Sequence, residues 1–240
     1  MASPVAQFEL KTLIPIEVGG VDLSFTNSAA WMVLAIAGVT AFLTLSMSGR
    51  RLVPGRWQLM AELSYEFIAN MVKDNVGSEG RKYFPFVFSL FMFILACNLF
   101  GMLPYSYTPT SQIIVTFAMA FVVFIGVTII ALARHGLHFF TFFFPSGAPV
   151  YMAPLLIPIE VISYFVRPVS LSVRLFANMM AGHTMLKVFG GFVIALGVFG
   201  VAPLALIVAL TAFEILVAVL QAYVFTILTC LYLHDAIHLH

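Results

Sequence analysis

Apolar residues run almost unbroken along this chain, and the few polar interruptions divide it into elements. A helix needs about 20 apolar residues to cross hydrocarbon. Residues 28–48, SAAWMVLAIAGVTAFLTLSMS, predict the first crossing. Residues 57–73 have another pattern. Met60, Leu63, Phe67 and Met71 recur at helical spacing, with Gln58, Glu62, Glu66, Asn70 and Lys73 on the other side. That predicts an amphipathic helix lying along the membrane surface. DNVGSEGRK, 74–82, is a polar turn. From Tyr83 to Ala133 there is no charged residue, which leaves room for two crossings, 83–102 and 113–133, joined by LPYSYTPTSQ at 103–112. FFTFFFPSGAP, 139–149, is an aromatic interfacial stretch with a proline turn.

The last third breaks the rhythm. Residues 151–187 and 192–233 are long and largely apolar, yet polar groups interrupt both. At 1.5 Å per residue the first approaches about 55 Å as one helix, against roughly 30 Å of hydrocarbon. Such helices must tilt strongly, bend or break, and Pro154, Pro158, Pro168 and Pro203 supply places to bend. Gly190 and Gly191, between the two runs, predict the hairpin turn. The pattern amounts to an all-α integral membrane protein, 1–240 as one membrane domain, with about five transmembrane helices and one surface helix.

Composition sharpens this. Hydrophobic residues make up 62% of the chain and charged ones 9%, where a soluble domain has about a quarter charged. A net charge of +1 supplies no field for nucleic acid. Arg50, Arg51 and Arg56 follow the first crossing, so that end and the surface helix are expected on the cytoplasmic side and the N-terminus outside. Arg134 and His135 end the third crossing inside, and the C-terminus is expected inside as well. Lys187, at the expected outer end, goes against the rule. The first 20 residues carry Glu9 and Glu17 against one lysine and scattered apolar groups, unlike a signal peptide. Insertion by the first crossing is expected instead. Cys97 and Cys230 form no CxxC pair, and no GxxxxGK[ST] phosphate loop occurs. HDAIHLH, 234–240, reads as a solvated tail rather than a metal site, and only His183 is placed for haem ligation, so no metal, cofactor or catalytic residue is expected.

The chemistry lies in the charged residues of the last two runs, because an ionisable group inside the bilayer is costly and marks a pathway by default. Glu160, Arg167 and Arg174 are seven apart, nearly one helix face, and Asn178 continues the stripe. Glu214 and Gln221 are again seven apart. Arg174 is too deep to snorkel and has no acid within ten residues on either side. Its partner is Glu214 or a carboxylate on another subunit. Bland alternatives exist for the others: a carbonyl bond for His183, helix–helix glue for Gln221, an interfacial position for Glu160. If both helices ran straight from a turn near 190, His183 and Glu214 would differ in depth by about 25 Å; Gly197, Gly200 and Pro203 disfavour a straight helix from 192, and a wider, bent turn would bring the pair closer. A transporter with a midplane site should show repeats, and there are none; an anchor subunit of a respiratory complex would not need an unpaired arginine.

SLSVRLFANMMAGHTML, from residue 170, resembles the signature of subunit a of F-type ATP synthases, in its mitochondrial and alphaproteobacterial style. NLFGMLPYSYTPTSQ (98–112), IPIEVISYFVRPVSLSVRLFANM (157–179) and EILVAVLQAYVFTILTCLYL (214–233) extend the resemblance. It implies a proton-translocating stator subunit of the Fo sector, with no nucleotide chemistry of its own, in the bacterial inner membrane. The implied partners are the c-ring, the peripheral-stalk b subunits and the rest of the synthase. It implies last two helices steeply tilted across the ring. It puts the essential arginine on Arg174, the motif's asparagine on Asn178, the glutamine of the last helix on Gln221 and the inner acid on Glu160. Many bacterial members carry glutamate at the position of His183 and histidine at that of Glu214. The exchange implies a proton-handling pair that meets in space, lining the outer of two offset half-channels, with Glu160 in the inner one and Arg174 between them.

Overall fold

The computed structural model describes residues 8–18, 21, 22, 24–49, 51, 53–103, 106–143 and 150–238. Expectations that fall on Arg50, Pro104, Tyr105, residues 144–149 and His240 lie outside them. The described residues are all-α apart from a short N-terminal pair of ladders. Strand β1 (Thr12–Ile14) pairs antiparallel with β4 (Phe25–Thr26), and β2 (Glu17–Val18) with β3 (Val21–Asp22). The chain then enters α1 (Asn27–Met47), whose first turn is capped where the Thr26 hydroxyl accepts the Ala29 N–H at 3.3 Å.

Among the described residues, five helices are long and apolar enough to cross a membrane. They are α1, α3 (Phe84–Gly101), α4 (Ile113–His135), α5 (Ala153–Leu196) and α6 (Val201–Ile237). The remaining helix, α2 (Arg56–Val76), ends at Gly77 with φ +85°, a value glycine tolerates and other residues resist. Its faces differ from the expected stripe. Met60, Leu63 and Phe67 are exposed, and the face turned to the protein is Ala61, Ile68, Met71, Val72 and Val76, with Gln58. Periodicity found an apolar side but could not tell which apolar residues a neighbouring helix would cover.

In lipid, apolar side chains gain little by leaving hydrocarbon, so helix association rests on close packing and polar contacts. The interior shows this. Ala218 and Ala222 of α6, Ala35 of α1 and Ala120 of α4 are buried and let backbones approach. Ile94, Leu175, Met179 and Phe225 fill the space between. Thr226 and Thr229 return their hydroxyls to the carbonyls of Ala222 and Phe225, at 2.8 and 2.9 Å, so neither is left bare. Helix α5 packs along α4 and α6, and α6 also lies against α2, α3 and α4.

The hairpin between α5 and α6 is not at Gly190–Gly191. Those glycines lie inside α5, a single helix of 44 residues that also contains Pro158 and Pro168. The turn is the 3₁₀ segment Gly197–Gly200. Two physical facts decide this. Unpaired backbone groups are costly in an apolar environment, so a Gly-Gly step stays helical when its hydrogen bonds have no substitute. The turn itself needs a positive φ, which Gly197 supplies at +54°, and a close approach, since a Cβ on Gly200 would lie 2.5 Å from the Val193 carbonyl oxygen.

Candidate functional site

Moving the turn by several residues changes which groups meet. His183 lies 14 residues before Gly197 (197 − 183) and Glu214 lies 14 after Gly200 (214 − 200). Two helices leaving one turn therefore bring these side chains to equal depth, and the depth gap drawn from a turn near 190 disappears. His183 Nδ1 stands 3.3 Å from Glu214 Oε1. Gly182 permits the approach: a Cβ there would sit 2.5 Å from the same oxygen. Glu214 is 4% exposed, and neither carboxylate oxygen has a hydrogen-bond partner among the described residues, because the 3.3 Å approach is not aligned as a hydrogen bond.

The other face of the imidazole meets a residue that sequence reading passed over. Thr108 Oγ1 is 2.8 Å from His183 Nε2. Thr108 belongs to the connection between α3 and α4, in which Tyr107, Thr108, Pro109, Thr110 and Ser111 are all buried. Gly101 makes room, since a Cβ there would collide with the Thr108 side chain. The Ser111 hydroxyl donates to the Thr108 carbonyl at 2.7 Å. Thr110 donates to Asn98 Oδ1 at 2.7 Å, and Asn98 Nδ2 donates to the carbonyl of Ala218 at 3.0 Å, one helical turn beyond Glu214. The loop is thus tied to α5 through Thr108 and to α6 through Asn98. Gln112 closes it outward, donating to the Tyr107 hydroxyl and to the carbonyl of Phe8. Burial pushes the Tyr107 phenol above its usual range and the Gln112 bond pulls it back, so near neutral pH it stays an uncharged donor and acceptor. The signal for this framework was an asparagine within the otherwise apolar α3 and a run of hydroxyls after it.

The remaining candidates are spread along the seam. The seven-residue stripe does not act as one face. Arg167 turns to α6, where Nη1 lies 3.2 Å from Asp235 Oδ2 and the guanidinium rests over Tyr164 and Tyr232 at 5.6 and 5.2 Å from the ring centres. Arg174, one heptad on, is exposed and makes no hydrogen bond or ion pair among the described residues. A heptad drifts by about 20° on a straight helix, and Pro168 lies between the two arginines. The sequence left Glu214 or another subunit as the partner of Arg174; within this chain, Glu214 is turned to His183 instead. Asn178 and Glu160 are half-buried, and Gln221 is buried on α6, two helical turns from Glu214. No group of three or more histidine, cysteine or acidic side chains is placed to hold a metal among the described residues.

Long apolar helices enclosing a buried histidine–glutamate contact, with an arginine held unpaired on the outside, define an integral membrane protein with ionisable chemistry in its interior. The model of the ATP synthase A chain family matches residues 29–234, and the chain belongs to that family. It is 62% identical over 247 residues to ATP synthase subunit a of Paramagnetospirillum magneticum, the match covering all of both chains. It is 59% identical over 241 residues to ATP synthase subunit a of Rhodospirillum rubrum, again over all of both. With ATP synthase subunit a of Pelagibacter ubique it shares 55% over 240 residues, 99% of this chain and 98% of the relative.

Proposed function

We propose that this chain is the proton-translocating stator subunit of an F-type ATP synthase, coupling proton flow to rotation of a ring of c subunits. The observation that carries the reading is the buried contact of His183 with Glu214, 3.3 Å apart with no fixed hydrogen bond on the carboxylate. Both groups exchange protons in the range where a cell works, once their surroundings tune them. They serve the outer half-channel, and Asn178 and Gln221 continue it toward the ring. Glu160 serves the inner half-channel, which opens to the cytoplasm.

Arg174 stands between the two. Its guanidinium holds its proton, so it attracts an ionised ring carboxylate and passes nothing on itself. The surface around it supports a close partner helix: Ser170, Ala177 and Ala181 are small and exposed at helical spacing from Arg174, among exposed Val166, Val169 and Val173. A proton therefore crosses only by riding the ring, and the membrane potential contributes about 2.3 kcal/mol per charge per 100 mV.

The lengths of α5 and α6, 44 and 37 residues, support strongly tilted helices, since straight ones would reach about 66 and 55 Å. In this reading α1, α3, α4, α5 and α6 cross the bacterial inner membrane, with the N-terminus outside and the C-terminus cytoplasmic. Helix α2 lies on the cytoplasmic surface, and its exposed Met60, Leu63 and Phe67 face lipid or the stalk b subunits. Nucleotide chemistry belongs to other subunits.

The test is Arg174→Ala in the whole synthase. The variant should assemble, because neighbouring apolar groups carry the packing, and should lose both ATP-driven proton pumping and proton-driven synthesis. Arg174→Lys should fail in large part, since lysine lacks the planar fork and loses its proton when desolvated. Normal coupled pumping by an assembled Arg174→Ala complex would end the reading.

A further inference from the structure

We infer that the Thr108 hydroxyl is the third member of the proton relay: it passes protons to His183 Nε2 and sets which ring nitrogen faces Glu214. The inference rests on reading His183 and Glu214 as the proton-carrying pair. It starts from an asymmetry at the imidazole. Nδ1 faces Glu214 at 3.3 Å and Nε2 faces Thr108 at 2.8 Å, so each ring nitrogen has one partner. A neutral imidazole donates from one nitrogen and accepts at the other. A hydroxyl does both, and it is the smallest side-chain group that can satisfy Nε2 in either tautomer.

The placement of Thr108 goes beyond filling space. Any side chain at Gly101 would collide with that of Thr108, and the Thr108 carbonyl is held by Ser111. The same loop, through Thr110 and Asn98, grips the α6 backbone at Ala218, one turn from Glu214. One segment therefore fixes the hydroxyl against α5 and the carboxylate-bearing helix against the loop. Lys187, one turn along α5, and Glu214 across the seam are the charged groups that bear on His183.

The step balances. Once Glu214 has passed its proton on, Thr108 donates to Nε2 and Nδ1 carries the ring proton toward the ionised carboxylate. A hydronium on the loop side gives a proton to Thr108 Oγ1 and is left as water. The O–H bond directed at His183 breaks as Nε2–H forms, and Nδ1–H breaks as the Glu214 O–H bond forms. Thr108 and His183 end neutral, and Glu214 holds the one proton that entered. Release of the proton from Glu214, followed by reorientation of the imidazole and of the Thr108 hydroxyl, returns an N–H to the Glu214 side and resets the site.

The test uses the whole synthase in vesicles, reading the initial rate of ATP-driven proton uptake per assembled complex from pH 6 to pH 9. The variants are Thr108→Val, Thr108→Ser, Thr108→Cys and His183→Ala. Thr108→Val keeps the shape and removes the hydroxyl, and should slow uptake by roughly tenfold or more with an altered pH profile. Thr108→Ser should restore most of the rate and the native profile, and Thr108→Val added to His183→Ala should cost nothing further. Slow His183→Ala beside native-like Thr108→Val would overturn the inference and leave the pair standing. Native-like His183→Ala would overturn the pair itself. Valine and serine variants equally slow would assign Thr108 to packing and overturn the inference. If Thr108→Val does not assemble, Thr108→Cys decides: its thiol is a poor hydrogen-bonding partner of similar size, so it should be slow where serine is fast, and equality of the two would overturn the inference.

Discussion

The α5–α6 seam brings a base and an acid together twice, and the two meetings differ in kind. Near the turn, His183 meets Glu214. Toward the far end of α6, Arg167 meets Asp235. The second is a fastener: the arginine is aligned on a carboxylate at 3.2 Å, flanked by Tyr164 and Tyr232, and both charged side chains are partly exposed, at 27% and 39%. Arginine does not surrender its proton, so this pair holds position and carries no current. The first meeting is buried, its carboxylate has no hydrogen bond among the described residues, and both members are side chains of kinds that can take up and give up protons. In the proposed function the first pair is a pathway and the second a clamp, and what separates them is the identity of the base and the depth of burial, rather than distance.

Breaking the buried pair should have the larger effect. His183→Ala and Glu214→Gln should each slow proton uptake severely, and the double variant should cost less than the product of the single effects, because a relay broken once has little more to lose. Independent effects in the rate per assembled complex would mean that the two residues work apart. Gly182→Ala comes next. The added methyl would fall 2.5 Å from Glu214 Oε1 and displace the carboxylate without removing any ionisable group, so uptake should fall several-fold while subunit content stays near normal. An unaltered rate would show that the His183–Glu214 spacing is not critical.

The clamp should respond differently. Arg167→Gln and Asp235→Asn, alone and together, should give a coupling energy of about 0.2–1 kcal/mol in the thermal stability of the purified complex, as expected for a partly exposed pair. Uptake per assembled complex should stay near wild type; a loss as deep as that of His183→Ala would erase the distinction between the two meetings. The smallest effect is reserved for α2. Cysteines at the exposed positions Glu62 and Glu66 should leave activity unchanged and react with an impermeant thiol reagent from the cytoplasmic side only. The native Cys97 and Cys230 are buried and should stay silent. Labelling solely from outside would invert the orientation.

The all-α class and the long apolar helices were legible because hydropathy reports directly what lipid demands of a backbone. The ionisable residues were legible for the same reason, each being costly where it stood. Their relations were not. The turn was expected at Gly190–Gly191, with Gly197 and Gly200 read only as bending the helix that follows, yet the positive φ falls at Gly197, and that displacement brings His183 and Glu214 together. Arg167 and Arg174 shared a stripe on paper, but a tertiary partner, Asp235, claims only the first. Thr108 and Asn98 gave no periodic signal, because their roles come from an inward loop held by contacts distant in sequence. Spacing identifies which groups are costly, and packing decides which of them touch.

The most direct test of the account is the reciprocal exchange His183→Glu with Glu214→His, compared with His183→Glu alone, in assembled synthase across a pH series. If the two residues pass one proton between them, the exchange keeps a histidine facing a carboxylate across the same seam. It should then recover a substantial part of the wild-type uptake rate and its pH dependence, while the single change, which sets two acids together, should not. An exchange no faster than His183→Glu alone, or one that regains rate without moving toward the native pH profile, would contradict the relay.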